Sequence, residues 1–153
     1  GAETLCQMFW RLHSLRTITL RYFNVYGVRQ PLKGQYAPVI GLFEEQKKRG
    51  EPLTIVGDGE QRRDFTHVSD VVNANICAMM TNWTGIMNIG TGKNHSVNEL
   101  AAMISDNTVN IPARDGEARE TLANCDRAKL MTWAANYNLE DYFNDPWKGI
   151  KES

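Results

Sequence analysis

The sequence has no excess of charge of either sign. Its 153 residues include 17 lysines and arginines and 18 aspartates and glutamates, for a formal net charge of −1. Proteins that bind nucleic acid over a broad surface present a basic face to the phosphates, so this balance argues against that class of function. A local pocket for one diphosphate stays open, because about two or three arginines suffice for it.

The sequence is also poor in cysteine and in long apolar runs. Its three cysteines lie far apart and show no Cys-x-x-Cys spacing, which argues against a disulfide framework or a zinc site. No apolar run reaches the roughly 18 residues that a membrane span needs. No leader of basic and then apolar residues opens the chain, and we expect a cytoplasmic protein with reduced thiols.

Patterns typical of strands and helices alternate along the chain. β-branched and aromatic residues predict strands at 16–23, 53–56, 86–89 and 109–111. Helical spacing predicts a helix without a cap residue at the start of the chain, helices at 38–49, 69–80 and 96–104, and short ones at 126–131 and from 139 to Pro146. Ser69 and Ser96 are the expected caps, the latter in a capping box with Glu99. This alternation predicts the α/β class.

The first polar segment runs directly out of a predicted strand. This asparagine segment, residues 20–27 (LRYFNVYG), places Asn24 and Tyr26 just beyond the carboxyl end of the strand, where ligands of parallel sheets sit. The amide of Asn24 is suited to donate to a phosphate or sugar oxygen. Alternatively, Asn24 only caps a turn, as asparagine often does. The residues themselves leave both interpretations open.

The second segment carries two adjacent arginines. In this diarginine segment, residues 57–68 (GDGEQRRDFTHV), Arg62 and Arg63 point to opposite faces if the chain is extended, so only one of them can face inward. An inward guanidinium group matches the oxygens of a phosphate bidentately. Alternatively, Asp64 neutralises one of the arginines in a purely structural ion pair.

The third segment is a charged loop, residues 112–121 (PARDGEARET). Taken alone, it is typical of a solvated surface loop, and only the presence of the other two segments suggests a role in binding. Other features are expected to be structural: His67, which is a lone histidine, the aromatic residues Trp133, Tyr137 and Phe143, and residues 90–92 (GTG), which lack the third glycine of a dinucleotide-binding loop.

Together these segments resemble one family. The motifs RYFNVYG, GEPLTIVGDGEQRRDFTHVSDVV, NIGTGKNHSVNEL and GEARETLANCDRAK follow the order and spacing of the extended short-chain dehydrogenase/reductases, specifically the 4-epimerases of UDP-glucose and UDP-N-acetylglucosamine. The related dehydratases and decarboxylases usually carry a serine at the position of Asp64. The resemblance implies an α/β fold of incomplete Rossmann-like sheet strands, from about 1–27 and 69–106, and a small substrate-binding lobe from 28–68 and 107–153.

The resemblance also implies the binding residues. Asn24, Arg63 and Arg114 match positions that contact the nucleotide diphosphate, Glu117 matches a position near the ribose, and Tyr36, Val39, Leu53 and Ile55 fall where the family lines the sugar and uracil pockets. Tyr22 and Phe23 match the stretch against the nicotinamide end of NAD. Two guanidinium groups suit a diphosphate, which bears about two charges.

The family's reaction moves a hydride from C4 of the sugar to tightly held NAD and back, with a tyrosine base from a Tyr-x-x-x-Lys motif. No Tyr-x-x-x-Lys occurs in the 153 residues, and the resemblance places that motif, the glycine-rich cofactor loop and the catalytic serine before residue 1. We therefore expect the chain alone to be inactive. The complete enzyme would include a preceding cofactor domain and form a homodimer, as is usual in this family.

Three hypotheses about function follow from this resemblance. The chain is the nucleotide-sugar-binding part of a UDP-sugar 4-epimerase, a stand-alone UDP-sugar-binding module, or one half of a split epimerase or dehydratase. Association behaviour separates them, because an incomplete sheet exposes an apolar edge and associates, whereas a true module unfolds cooperatively by itself.

Overall fold

The computed structural model describes residues 1–32, 37–113, 116 and 118–145. Its helices are α1 (Ala2–His13), α2 (Val39–Lys48), α3 (Val68–Met80), α4 (Val97–Ile104) and α5 (Leu139–Asn144), with a 3₁₀ helix at Ala128–Met131. Its strands are β1 (Ile18–Tyr22), β2 (Val25–Tyr26), β3 (Leu53–Val56), β4 (Arg62–Arg63), β5 (Thr66–His67), β6 (Gly85–Ile89), β7 (His95–Ser96) and β8 (Thr108–Ile111). Within the described ranges, no helix has the length and apolar content to cross a membrane.

One part of the fold is built on the parallel pair of β1 and β6. The two strands run side by side from Ile18 and Gly85 to Tyr22 and Ile89, and α3 belongs to the crossover connection that a parallel pair needs. The buried residues here, the sheet cluster, are Val71, Ala74, Met87, Ile89, Ala128, Met131 and Trp133. This cluster fixes the carboxyl ends of β1 and β6 next to each other.

A second hydrophobic cluster lies around α2, α4 and the parallel pair of β3 and β8. Its buried residues, the lobe cluster, are Tyr26, Ile40, Phe43, Leu53, Ile55, Phe65, Val97, Leu100, Ala101, Ile104, Leu139 and Tyr142. Removal of these side chains from water is the main favourable contribution to folding of this lobe.

Two short strand pairs join the clusters. β2 pairs with β5 in parallel, with Val25 beside Thr66, and β4 pairs with β7 in antiparallel orientation, with Arg62 beside Ser96. The diarginine segment therefore contacts the asparagine segment through β5 and the start of α4 through β4.

Most of the predicted elements are confirmed, but one cap is wrong. The capping box is present, because Ser96 Oγ accepts from the Glu99 N–H and Glu99 Oε2 accepts from the Ser96 N–H, both at 3.0 Å. Ser69 does not cap α3. The N-cap is His67, whose Nδ1 accepts from the Ser69 N–H at 3.2 Å. Pro146, predicted to end the last helix, lies outside the described residues.

The two clusters cut across the predicted boundaries of the lobes. Helix α4, expected with the cofactor-domain sheet, packs against α2 and β3, because its apolar residues face the lobe cluster. The 3₁₀ helix, expected in the substrate-binding lobe, packs against β6. The chain thus passes between the two parts more often than the sequence suggests.

Candidate functional site

The three polar segments singled out in the sequence meet at residues 62–64. Asn24 Nδ2 donates to the Asp64 carbonyl at 2.9 Å and lies 3.4 Å from Thr121 Oγ1. The Arg62 N–H donates to the Arg119 carbonyl at 2.9 Å, and the Thr121 N–H donates to the Arg62 carbonyl at 3.0 Å. Residues far apart in the chain therefore form one surface, which we call the junction: Asn24, residues 62–64 and residues 119–121.

Asn24 lies two residues beyond the carboxyl end of β1. Its φ of 27° lies in the left-handed region, which asparagine tolerates better than most residues. Its side chain is exposed and ties this turn to the diarginine segment through the Asp64 carbonyl. Asn24 therefore forms a turn, which is one of the two roles that the sequence left open, and its contact with a ligand oxygen stays a prediction.

The guanidinium group of Arg62 is committed to structural contacts. It donates twice to Glu99, each at 3.0 Å, and to the Oδ1 and carbonyl oxygens of Asn94 at 2.9 and 3.0 Å. The hydrogen bond from Arg62 lowers the pKa of the Glu99 carboxyl. Arg62 thus links β4 to the first turn of α4.

Arg63 is half-buried and lies at the centre of the junction. Its Nη1 donates to the Arg62 carbonyl at 2.9 Å, the same oxygen that accepts from the Thr121 N–H. This contact directs the guanidinium group of Arg63 toward residues 119–121, and so toward the charged loop.

Asp64 is a fully buried carboxylate with hydrogen-bond donors on both oxygens. Its Oδ1 accepts from the N–H and hydroxyl of Thr91 at 2.8 and 2.7 Å, and its Oδ2 accepts from the N–H groups of Gly92 and Ala123 at 2.9 and 3.2 Å. The predicted alternative of an arginine ion pair is replaced by this set of contacts. Because the Thr91 and Gly92 amides donate to Asp64, residues 90–92 do not offer them to a dinucleotide.

His67 and Asp70 organise the start of α3. The ring of His67 stacks on Tyr137, with 4.5 Å between ring centroids, and burial lowers the pKa of His67. Asp70 is buried and accepts from the N–H groups of Asn136 and Tyr137 at 3.0 and 3.1 Å. Both side chains have structural partners, as expected for His67, whereas Tyr137, expected in the core, is 49% exposed.

The described part of the charged loop is partly solvated and partly anchored. Arg119 forms an exposed ion pair with Asp58 at 2.8 Å, and this hydrogen bond lowers the pKa of Asp58 to about 2. Glu120 accepts from Asn94 Nδ2 at 2.6 Å. Arg114 and Glu117, the two predicted binding residues of this loop, lie outside the described residues.

The remaining predicted site residues fall into different environments. Tyr22, at the end of β1, is half exposed and donates its hydroxyl to Asn75 Oδ1 at 3.0 Å, and the N–H of the half-buried Phe23 donates to the Ile89 carbonyl at 3.0 Å. Val39 is half-buried at the start of α2, and Tyr36 is outside the described residues.

Leu53 and Ile55, expected where the family lines the sugar and uracil pockets, lie in the core. Their side chains belong to the lobe cluster with exposures of 0% and 4%, and a contact with the nucleotide stays a prediction. Alternate residues of a strand point to opposite faces, and this strand turns Leu53 and Ile55 to the core. Any contact of β3 with a ligand would therefore come from its backbone or from Thr54 and Val56.

An open groove elsewhere on the molecule was not predicted from the sequence. It has a volume of about 360 Å³ and lies where Arg21 of β1 is beside Asn88 of β6, lined by Arg21, Ile86, Asn88, Asn124, Asp126 and Arg127. The guanidinium group of Arg21 forms an ion pair with Glu3. Within the described ranges, no three histidine, cysteine or acidic side chains gather to hold a metal ion.

Residues 2–90 match the model of the NAD dependent epimerase/dehydratase family. A putative UDP-glucose 4-epimerase of Methanocaldococcus jannaschii is 36% identical over 146 residues, which cover 91% of this chain and 47% of the relative. A UDP-N-acetyl-alpha-D-glucosaminuronate decarboxylase of Bacillus cytotoxicus is 44% identical over 100 residues, 65% of this chain and 30% of the relative.

The fold is similar to that of a solved relative. The crystal structure of a Thermotoga maritima UDP-glucose 4-epimerase with UDP-glucose superposes with a TM-score of 0.87 at 36% identity, over 92% of this chain and 48% of that one. The chain thus spans about half the length, or less, of these relatives.

Proposed function

The chain belongs to the NAD-dependent epimerase/dehydratase family, and we propose that it forms the nucleotide-sugar-binding part of a UDP-sugar 4-epimerase. The observation that carries this proposal is the junction, where Asn24, Arg63 and Thr121 meet at the carboxyl end of β1. A polar amide, a guanidinium group and a hydroxyl in one place are suited to the oxygens of a diphosphate.

In this proposal, the two arginines of the diarginine segment have different roles. Arg62 holds β4 to α4 through Glu99, and that attachment supports the backbone on which Arg63 is carried. Arg63 then supplies the charge-assisted hydrogen bonds, and a second guanidinium group from Arg114 completes the clamp. Glu117 near the ribose and Tyr36 in the sugar pocket remain parts of the proposal that rest on the sequence alone.

The family is NAD-dependent, and the residues present fit one end of that cofactor. Tyr22 and Phe23 stand at the carboxyl edge of the β1–β6 pair, with the Tyr22 ring half exposed, and this edge is where cofactors of parallel sheets lie. NAD, when bound, supplies the acceptor for a hydride. Tyr22 and Phe23 would border its nicotinamide end and exclude water there.

The exposed apolar surface favours a part of a larger assembly over a stand-alone module. Helix α1 contains no buried residue, and β1 has only β6 as a neighbour within the part of the chain that the structure describes. Side chains such as Leu5 and Leu12 on α1 and Ile76 on α3 are more than half exposed. We propose that a further α/β unit, from the same chain or from a partner chain, covers this face in the active enzyme.

A decarboxylase is the second candidate, since the Bacillus cytotoxicus relative has the higher identity over its shorter match. The names of both kinds of enzyme include a UDP-sugar. A diphosphate site at the junction is therefore compatible with either candidate. Asp64, in place of the serine that the resemblance associates with decarboxylases, favours the epimerase.

Calorimetric titration of the purified chain tests the proposal. UDP should bind at one site, and UMP, which lacks the second phosphate, should bind at least about tenfold more weakly, because a charge-assisted hydrogen bond contributes about 1.5–3 kcal/mol. Equal affinity for UDP and UMP, or absence of heat with UDP at millimolar concentration, would overturn it. Without a Tyr-x-x-x-Lys motif in its sequence, the chain alone should not epimerise UDP-galactose in the presence of NAD.

A further inference from the structure

We propose that Asp64 is a positioning residue of the nucleotide-sugar site, which sets the affinity for the nucleotide without contacting it. The inference rests on the proposed function. Asp64 has no exposed surface, so its carboxylate does not reach a ligand on the outside of the junction. Its influence passes instead through the backbone groups that it holds.

The carboxylate connects two segments that follow β6 and β8. Its four hydrogen bonds come from Thr91, Gly92 and Ala123, which are 27, 28 and 59 positions further along the chain. Carboxylate oxygens accept such bonds but donate none, and bonds to a charged acceptor are about twice as strong as those between neutral groups. Asp64 therefore fixes the position of both segments relative to β4.

The backbone of the same residue holds the other side of the site. The Asp64 carbonyl accepts from Asn24 Nδ2 at 2.9 Å, and Asp64 directly follows Arg63 in the chain. Ala123, bound by the carboxylate, is two residues after Thr121, whose hydroxyl lies 3.4 Å from Asn24 Nδ2. Asn24 is thus one hydrogen bond from Asp64, Arg63 is next to it in the chain, and Thr121 is two residues from Ala123, which Asp64 binds.

Gly90 shows how closely these parts fit. A Cβ atom on Gly90 would lie 2.9 Å from Asp64 Oδ2 and would overlap the Cβ of Ala123. Real Cβ atoms do not approach so closely, and overpacking of a buried site forces its surroundings to move. The absence of a side chain at residue 90 is therefore a condition for the contact between Asp64 and Ala123.

A pair of matched variants, Asp64→Asn and Asp70→Asn, separates positioning from stability. Both carboxylates are buried, and both accept backbone N–H groups of a distant segment. Asparagine keeps the shape but turns an NH₂ group toward a backbone donor. Both variants should therefore be less stable in urea, but only Asp64→Asn should raise the Kd for UDP, by about tenfold or more. A wild-type Kd in Asp64→Asn, or an equal loss in Asp70→Asn, would overturn the inference.

Milder variants keep the test decisive if Asp64→Asn does not fold. Thr91→Val removes only the hydroxyl that donates to Asp64 Oδ1, and Gly90→Ala disturbs the same contact from the other side. Each should weaken UDP binding by about threefold or more while circular dichroism shows a folded chain. Wild-type affinity in both would contradict the positioning role.

The structural half of the inference can be measured without a nucleotide. In ¹⁵N spectra of Thr91→Val and of Asp64→Asn, the side-chain amide signals of Asn24 and the backbone signal of Thr121 should shift, whereas in Asp70→Asn they should not. If wild-type chain fails to bind UDP, the proposed function fails, and these shifts still decide the role of Asp64. Unchanged Asn24 and Thr121 signals in the Asp64 and Thr91 variants would contradict it.

Discussion

Asp64 and Asp70 lie six positions apart, on either side of β5, and each buries a carboxylate that accepts backbone N–H groups from segments later in the chain. The donors are those of residues 92 and 123 to Asp64 Oδ2, and those of residues 136 and 137 to Asp70. The indole of Trp133 also donates to the Asp70 carbonyl at 3.0 Å. Residues 123–137 are thus attached at two points to the segment that carries Arg63.

Asp70→Asn should lower the free energy of unfolding by about 2 kcal/mol, because at least one of its two bonds to backbone N–H groups is lost inside the fold. Urea unfolding followed by circular dichroism measures this value. Asp126→Asn is the control, since the Asp126 carboxylate is exposed and forms a surface ion pair with Lys129 at 2.8 Å. Equal stability losses in the two variants would show that burial of Asp70 is not important.

Arg63→Ala should weaken UDP binding by about tenfold or more, since it removes charge-assisted donors, with little change of the unfolding midpoint. Arg62→Ala should do the reverse, because Arg62 bonds Glu99 and Asn94: the chain becomes less stable, and the Kd rises by no more than about threefold. Titration calorimetry and thermal unfolding on both variants give the four values. If Arg62→Ala instead weakened UDP binding and Arg63→Ala instead lowered stability, Arg62 would be the arginine that binds the diphosphate.

The pH dependence of stability should report His67. Burial lowers its pKa below the ordinary 6.5, and the Asp70 carboxylate, which acts in the opposite direction, is the smaller influence. The unfolded chain therefore binds the proton more readily than the folded one. The stability that neutral His67 contributes is fully present above pH 6.5, and it is lost as the pH falls from about 6.5 toward the lower pKa of the folded state.

His67→Asn provides the comparison for this titration. Asparagine keeps a cap acceptor for the Ser69 N–H but does not titrate, so the variant should show a flatter profile between pH 7 and 5. The rings packed around His67 are those of Tyr26, Tyr137 and Tyr142, and burial raises the pKa of Tyr26. Parallel profiles for wild type and variant, measured as urea midpoints, would remove His67 as the cause.

The apolar face of α1 should make the isolated chain associate at high concentration. Leu12 is 67% and Leu5 51% exposed, and contiguous apolar patches on a surface mark contact sites. Sedimentation velocity between about 5 and 500 μM should show a rising mean mass for wild type and a smaller rise for the double variant Leu5→Glu and Leu12→Glu. A wild-type chain that stays monomeric over this range would favour the stand-alone module.

Local patterns in the sequence were sufficient for most of the elements. The β-branched residues of β1, Pro38 and Gly50 at the ends of α2, and the capping box of α4 all act over a few positions, and the structure confirms them. The convergence of the asparagine and diarginine segments was expected only from the family resemblance, because the hydrogen bond between Asn24 and Asp64 spans 40 positions.

The details that the sequence did not predict depend on partners that are distant in the chain. The structural partner of Arg62 is Glu99, 37 positions further along the chain. The four donors to Asp64 come from two loops, so a nearby arginine was the more obvious partner. The burial of Leu53 and Ile55 likewise follows from the packing of α2 and α4 on β3, which strand alternation alone does not specify.

The most direct test of the central claim is a ¹⁵N NMR titration of the wild-type chain with UDP, because it identifies the residues that respond. We predict that the signals of Asn24, Arg63 and Thr121 shift together and saturate with one Kd, equal to the calorimetric value, while Arg21 and Asn88 in the open groove stay unchanged. Shifts confined to the groove, or signals at the junction that do not respond to UDP, would contradict the account.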